Sequence, residues 1–86
     1  MKIDFSKLEV KSLIQKEGIL MDVREPLANG LYVAGEGIAA HALAMKIYNS
    51  EGEVEYTDKE FDLIKSFVER NGTPMMIDAI NNLLKQ

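Results

Sequence analysis

Leu8-Glu9-Val10-Lys11-Ser12-Leu13-Ile14-Gln15-Lys16-Glu17-Gly18-Ile19-Leu20-Met21-Asp22-Val23 is the stretch on which the fold turns, because it supports two different backbones. As a helix it would be capped by Ser6, with Glu9 closing a capping box, Phe5 and Val10 stapling the entry and Gly18 ending it. As a hairpin, Leu8 and Val10 alternate with Lys7, Glu9 and Lys11, and Ile19, Met21 and Val23 alternate with Leu20 and Asp22. That period of two is the mark of a half-buried strand. Gln15-Lys16-Glu17-Gly18 then forms the turn, with glycine at a position that needs positive φ. The hairpin is preferred, because residues 19–23 read as a strand under either alternative and a strand needs a partner for its backbone groups.

Downstream, the pattern changes to helices. Asp22-Val23-Arg24-Glu25 has capping-box spacing and precedes Pro26, a residue tolerated near a helix start. Leu27, Leu31 and Ala34 then mark one face, and Gly35-Glu36-Gly37 ends the helix. Over residues 38–49, Ile38, Ala42, Leu43, Met45 and Ile47 cover more than half the helical circumference, which predicts a central helix with His41 and Lys46 as its polar outlets. Glu53-Val54-Glu55-Tyr56 alternates as a short edge strand does. Thr57-Asp58-Lys59-Glu60 is a further capping box, followed by the apolar stripe Phe61, Ile64, Phe67 and Val68 down to Asn71-Gly72. Thr73-Pro74 opens the last helix, with Met76, Ile80, Leu83 and Leu84 inward and Asp78, Asn81, Asn82 and Lys85 toward water.

Composition bounds what such a chain can do. Its 86 residues fit one domain, spanning 1–86, and 47% hydrophobic with 28% charged side chains is the balance of a folded globule. With no cysteine, disulfides, thiolate metal sites and thiol nucleophiles are excluded. The formal charge is −4, and it is unevenly placed. Residues 1–35 balance five bases against five acids, whereas residues 36–57 set four glutamates against Lys46 alone, a net of −3. No segment clusters Lys and Arg, so phosphate neutralisation is weak and no nucleic-acid partner is expected. The N-terminus shows no apolar run of signal-peptide length, and no apolar stretch approaches the roughly 20 residues of a membrane span. A cytoplasmic protein with no membrane partner is expected.

Four patterns could carry chemistry, and each has a structural reading beside the functional one. Gly35-Glu36-Gly37-Ile38-Ala39-Ala40 matches G-x-G-x-x-[GA], with Glu55 placed downstream to meet a ribose hydroxyl. Gly35, Gly37 and Glu55 are therefore the cofactor-binding candidates, although glycines between two helices usually serve as caps and no cofactor is expected. Glu51, Glu53 and Glu55 form an acidic comb that lacks the Asp/Asn spacing of a calcium loop, so no metal is expected. His41 has neither a nucleophile nor an orienting partner nominated by the sequence, and no catalytic residue is assigned. Met75, with Asp78, Asn81 and Asn82 on the same helix, forms a candidate interaction surface.

Ile3-Asp4-Phe5-Ser6-Lys7-Leu8-Glu9-Val10, Leu27-Ala28-Asn29-Gly30-Leu31-Tyr32 and Leu43-Ala44-Met45-Lys46-Ile47-Tyr48, followed by Gly52-Glu53-Val54-Glu55-Tyr56-Thr57, occur in an order that resembles small uncharacterised proteins of prophage and mobile-element regions in gut anaerobic bacteria. The resemblance implies a strand–turn–strand N-terminus and an accessory or assembly role, and it transfers no catalytic residue. The expectation is an α+β domain: an N-terminal hairpin, extended by residues 53–56, on about four helices, with mostly α as the alternative. Its predicted core is Val10, Ile19, Met21, Leu27, Leu31, Leu43, Ile47, Phe61, Ile64, Val68, Ile80 and Leu83. The expected role is non-enzymatic, either binding a protein partner or self-association through a sheet edge or the flank of the last helix. The alternative is a small nucleotide- or metabolite-binding protein using residues 35–40.

Overall fold

The hairpin forms. In a computed structural model that describes residues 1–14 and 17–85, strand β2 (Leu8–Val10) pairs antiparallel with β3 (Ile19–Met21), in the register Leu8↔Met21, Glu9↔Leu20 and Val10↔Ile19. Gln15 and Lys16 of the expected turn lie outside the described residues. Gly18 is described and is not at positive φ. Its requirement is one of space, since a Cβ there would run into the Glu9 side chain on the paired strand.

Ahead of the hairpin, β1 (Lys2–Ile3) leads through a 3-10 turn over Phe5–Lys7, and Asp4 caps that turn by accepting from the Ser6 amide at 3.0 Å. The expected extension of the hairpin by residues 53–56 does not occur. Strand β4 (Val54–Glu55) pairs instead with β1, Lys2 opposite Glu55 and Ile3 opposite Val54, making a second two-stranded sheet. The Met1 amino group fixes this pairing by donating to Glu55 Oε1 and to the Tyr56 carbonyl, both at 3.0 Å.

Four helices complete an α+β architecture: α1 (Arg24–Ala34), α2 (Gly37–Tyr48), α3 (Asp58–Asn71) and α4 (Pro74–Asn82), the last tightening into a 3-10 turn over Leu83–Lys85. α1 packs on α2, α3 on α4, and α4 reaches back to β2. The α3 capping box forms as read, with the Glu60 amide donating to Thr57 Oγ1 at 3.1 Å and the Thr57 amide to Glu60 Oε1 at 2.8 Å. Thr73 caps α4 by accepting from the Met76 amide, with Pro74 in the first turn. The expected Asp22–Glu25 box does not form. The N-cap of α1 is Val23, which has no polar side-chain atom to cap with, while Asp22 accepts from the Arg24 amide at 3.1 Å and from its guanidinium, Nε at 3.0 Å and Nη2 at 2.7 Å. Arg24 Nη1 also donates to the Ser50 carbonyl at 2.8 Å, which ties the start of α1 to the loop after α2.

The core corrects the sequence reading in two directions. Val10, Leu27, Leu31, Leu43, Ile47, Phe61, Ile64, Val68 and Ile80 are buried as expected, and Leu83 is half-buried. Ile19 and Met21 are 53% and 43% exposed, because β3 overhangs the helices that cover β2. In their place Ile3, Phe5, Leu8, Val23 and Tyr56 fill the interior. The α2 helix is likewise not central. It buries only Ala40, Leu43, Ala44 and Ile47, leaving Ile38 87% exposed and Met45 and Tyr48 on its outer side. In the 3-10 turn that follows α4, Leu84 is 52% exposed and not inward as expected, the tighter turn ending the α-helical stripe that Met76 and Ile80 follow.

Glu60 belongs at once to a cap and an ion pair, and it sets an acid limit on the fold. Lys46 Nζ donates to both its oxygens, at 2.9 and 3.1 Å, joining α2 to α3. Burial raises the Glu60 carboxyl, but the Thr57 amide and the Lys46 ammonium outweigh it and hold the group below its ordinary value of 4.5. A carboxyl that titrates lower when folded stabilises the fold above its unfolded value, and that contribution is lost as pH falls toward the folded value. Glu60→Ala is therefore expected to cost about 1–2 kcal/mol at pH 7. Urea titrations should show the gap to the parent protein narrowing below pH 4.5; a gap that stays constant into acid would show that the charge is not what Glu60 contributes.

Candidate functional site

The outer face of the α1–α2 pair carries a concavity with a mostly apolar lining. Glu25, Pro26, Ala28, Asn29, Tyr32, Ala44, Met45 and Tyr48 surround a groove of about 590 Å³. Its shape follows from local sequence. Leu27, Ala28 and Leu31 turn inward on α1, and Ala40, Leu43, Ala44 and Ile47 turn inward on α2, so small alanines meet where the helices touch. The larger Tyr32, Met45 and Tyr48 are left on the rim, exposed at 60%, 43% and 60%. Tyrosines with an apolar ring and a wet hydroxyl are well suited to protein contacts. Besides the two tyrosine hydroxyls, the polar side chains of this groove are Glu25, in the first turn of α1, and Asn29.

Gly35 and Gly37, the nucleotide candidates, sit at the joint of these helices. The residues before them form α1, not the strand that a phosphate-binding strand–loop–helix unit requires. Gly35 donates its amide to the Leu31 carbonyl at 2.9 Å, and a Cβ on it would lie 2.8 Å from that of Ala40. Gly37 opens α2 at φ +82° with free space around it. Glu55 is occupied with the Met1 amino group. The glycine motif is thus accounted for by a tight helix–helix turn.

His41 is exposed on α2 with its ring tilted against that of Tyr32, centroids 5.5 Å apart, and among the described residues no hydrogen bond orients it. No group of three or more His, Asp or Glu among the described residues is placed to hold a metal ion. No helix among them is long and apolar enough to cross a membrane.

Met75, Asp78 and Asn82 lie exposed on α4, and Asn81 is half-buried beside them. Asn82 also faces a second concavity of about 600 Å³, where Lys2, Lys7 and Lys11 stand among Asp4, Glu9 and Glu53. The charges there balance, so no single sign of ligand is favoured.

Sequence reasoning missed the α1–α2 groove because it assigned Ile38 and Met45 to a central helix. The available signal was the spacing of Ala40 and Ala44, four apart on one face of α2, which lets that face pack closely on α1 while the opposite face stays uncovered. No protein-family model, curated protein or solved structure matches the chain.

Proposed function

We propose that this protein is a non-enzymatic interaction module that receives an apolar helical segment of a partner protein in the α1–α2 groove, with a basic residue of that segment against Glu25. The observation that carries the reading is the rim of Tyr32, Met45 and Tyr48, three large side chains left uncovered around a groove lined by Pro26, Ala28 and Ala44. Docking a helix there would bury apolar area that otherwise faces water. An accessory or assembly role in a cytoplasmic, prophage or mobile-element setting is part of this proposal, supported by the sequence resemblance; the scatter of its bases argues against a nucleic-acid partner.

The test compares affinity capture by the parent protein with capture by the Tyr32→Ser, Tyr48→Ser double variant and by Met75→Ser, followed by titration of the captured protein. Both tyrosines are more than half exposed, so the fold tolerates the change. Binding of one partner is expected to weaken at least about tenfold in the double variant and to persist in Met75→Ser. Capture that both variants retain, or that only Met75→Ser loses, would overturn the groove.

A further inference from the structure

The hairpin ends in an edge that the fold leaves open. Its sheet contains β2 and β3 only, and among the described residues no backbone hydrogen bond reaches Ile19, Leu20 or Met21 from a third strand. A two-stranded sheet is marginal by itself, and natural edges are usually blunted by charge or proline. The other sheet follows that rule, carrying Lys2 on β1 and Glu55 on β4. Strand β3 does not. Its three residues are all large and apolar, and they are exposed at 53%, 64% and 43%.

We infer that β3 pairs antiparallel with β3 of a second copy of this chain, about a two-fold axis through Leu20, to make a continuous four-stranded sheet. The choice of occupant rests on the register. With Leu20 opposite Leu20, Ile19 of each copy meets Met21 of the other, so every strand residue has an apolar partner. The flanking acids are also spaced apart by this register. Asp22 falls opposite Gly18, which has no side chain, and Glu17 falls opposite Val23, so no like charges oppose each other. Shifting by two residues in one direction places Glu17 against Met21, and in the other it places Asp22 against Leu20, so each sets an acid against an apolar residue of β3. Ile19 and Met21 share the face of the buried Leu8 and Val10, so the pairing would cover the overhang that the helices leave bare. This surface is separate from the α1–α2 groove, and the inference stands without it.

Three residues a side make a small contact, so the dimer is expected to be weak and concentration-dependent. Sedimentation equilibrium over a hundredfold range of concentration should show a monomer–dimer equilibrium. Leu20→Lys, which sets two ammonium groups against each other on the axis, should shift it to monomer by at least about tenfold without loss of helical circular dichroism. Because the chain has no cysteine, Leu20→Cys supplies a direct geometric readout. Directly opposed strand residues lie within disulfide range, so mild oxidation should link Leu20→Cys into a dimer and leave Val33→Cys, on α1 and 74% exposed, largely monomeric. A parent protein that remains monomeric throughout, a Leu20→Lys protein that still dimerises, or equal linking of the two cysteine variants would overturn the inference. Loss of dimer in Leu20→Lys with partner capture intact would separate this surface from the groove.

Discussion

Tyr56→Ala is expected to cost about 3–5 kcal/mol, enough to unfold much of the population of so small a domain. The ring is fully buried. It meets Phe5 edge-on at 5.4 Å between centroids and carries Lys46 Nζ 4.6 Å above its face, so its removal opens a void among β1, the 3-10 turn, α2 and α3. Tyr56→Phe should behave in the opposite sense. The hydroxyl is buried without a completed hydrogen bond. Burial pushes its pKa up, and the neighbouring Ser50 hydroxyl, already donating to the Ile47 carbonyl at 2.7 Å, only partly opposes that rise. An unsatisfied buried hydroxyl costs about 1–3 kcal/mol, so phenylalanine should match or exceed the parent stability. Guanidinium unfolding of the three proteins checks the pair of outcomes. If Tyr56→Phe loses as much as Tyr56→Ala, the hydroxyl and not the ring is what the core requires.

Gly35→Ala carries the second large effect, and its sign is decided by magnitudes. Gly35 has φ −74°, which alanine adopts freely, so the entropy lost by the unfolded chain would favour alanine by about 0.4–1 kcal/mol. Against that, the added Cβ would collide with the Leu31 carbonyl and come within 2.8 Å of the Ala40 Cβ. One contact is backbone and the other is a methyl fixed to a helix, so neither can swing aside. Overpacking of this kind costs about 1–3 kcal/mol and should prevail, with α1 and α2 forced apart and the groove between them widened. Thermal unfolding should show a lowered midpoint; a midpoint at or above the parent value would mean that the helix pair yields freely and that Gly35 is not required for close approach.

The same two positions show how far the sequence could be read. Gly35 was legible as a helix stop because glycine after a periodic apolar stripe has a local meaning, and Thr57, Glu60, Thr73 and Pro74 were legible for the same reason. Tyr56 was not. Its segment alternates as an edge strand does, but its burial depends on β1 arriving from the far end of the sequence to pair with β4. Ile3, Phe5, Leu8 and Val23 were missed on the same ground. The groove shows the converse: Met45 and Ile38 have core composition, but exposure is fixed by what stands beside α2, and among the described residues no element covers its outer side.

What the residues determined unaided was everything settled within a few positions along the chain: helix starts and stops, which stripe of α3 turns inward, and the alternation that makes residues 8–10 and 19–21 strands. Local sterics and hydrogen bonding decide such features before distant segments meet. Only the tertiary structure decided that β4 joins β1 instead of the hairpin, that Ile19 and Met21 face water, and that the α1–α2 pair leaves a tyrosine-rimmed groove uncovered. Those outcomes depend on which surfaces run out of neighbours, because a side chain is removed from water only when another element stands over it.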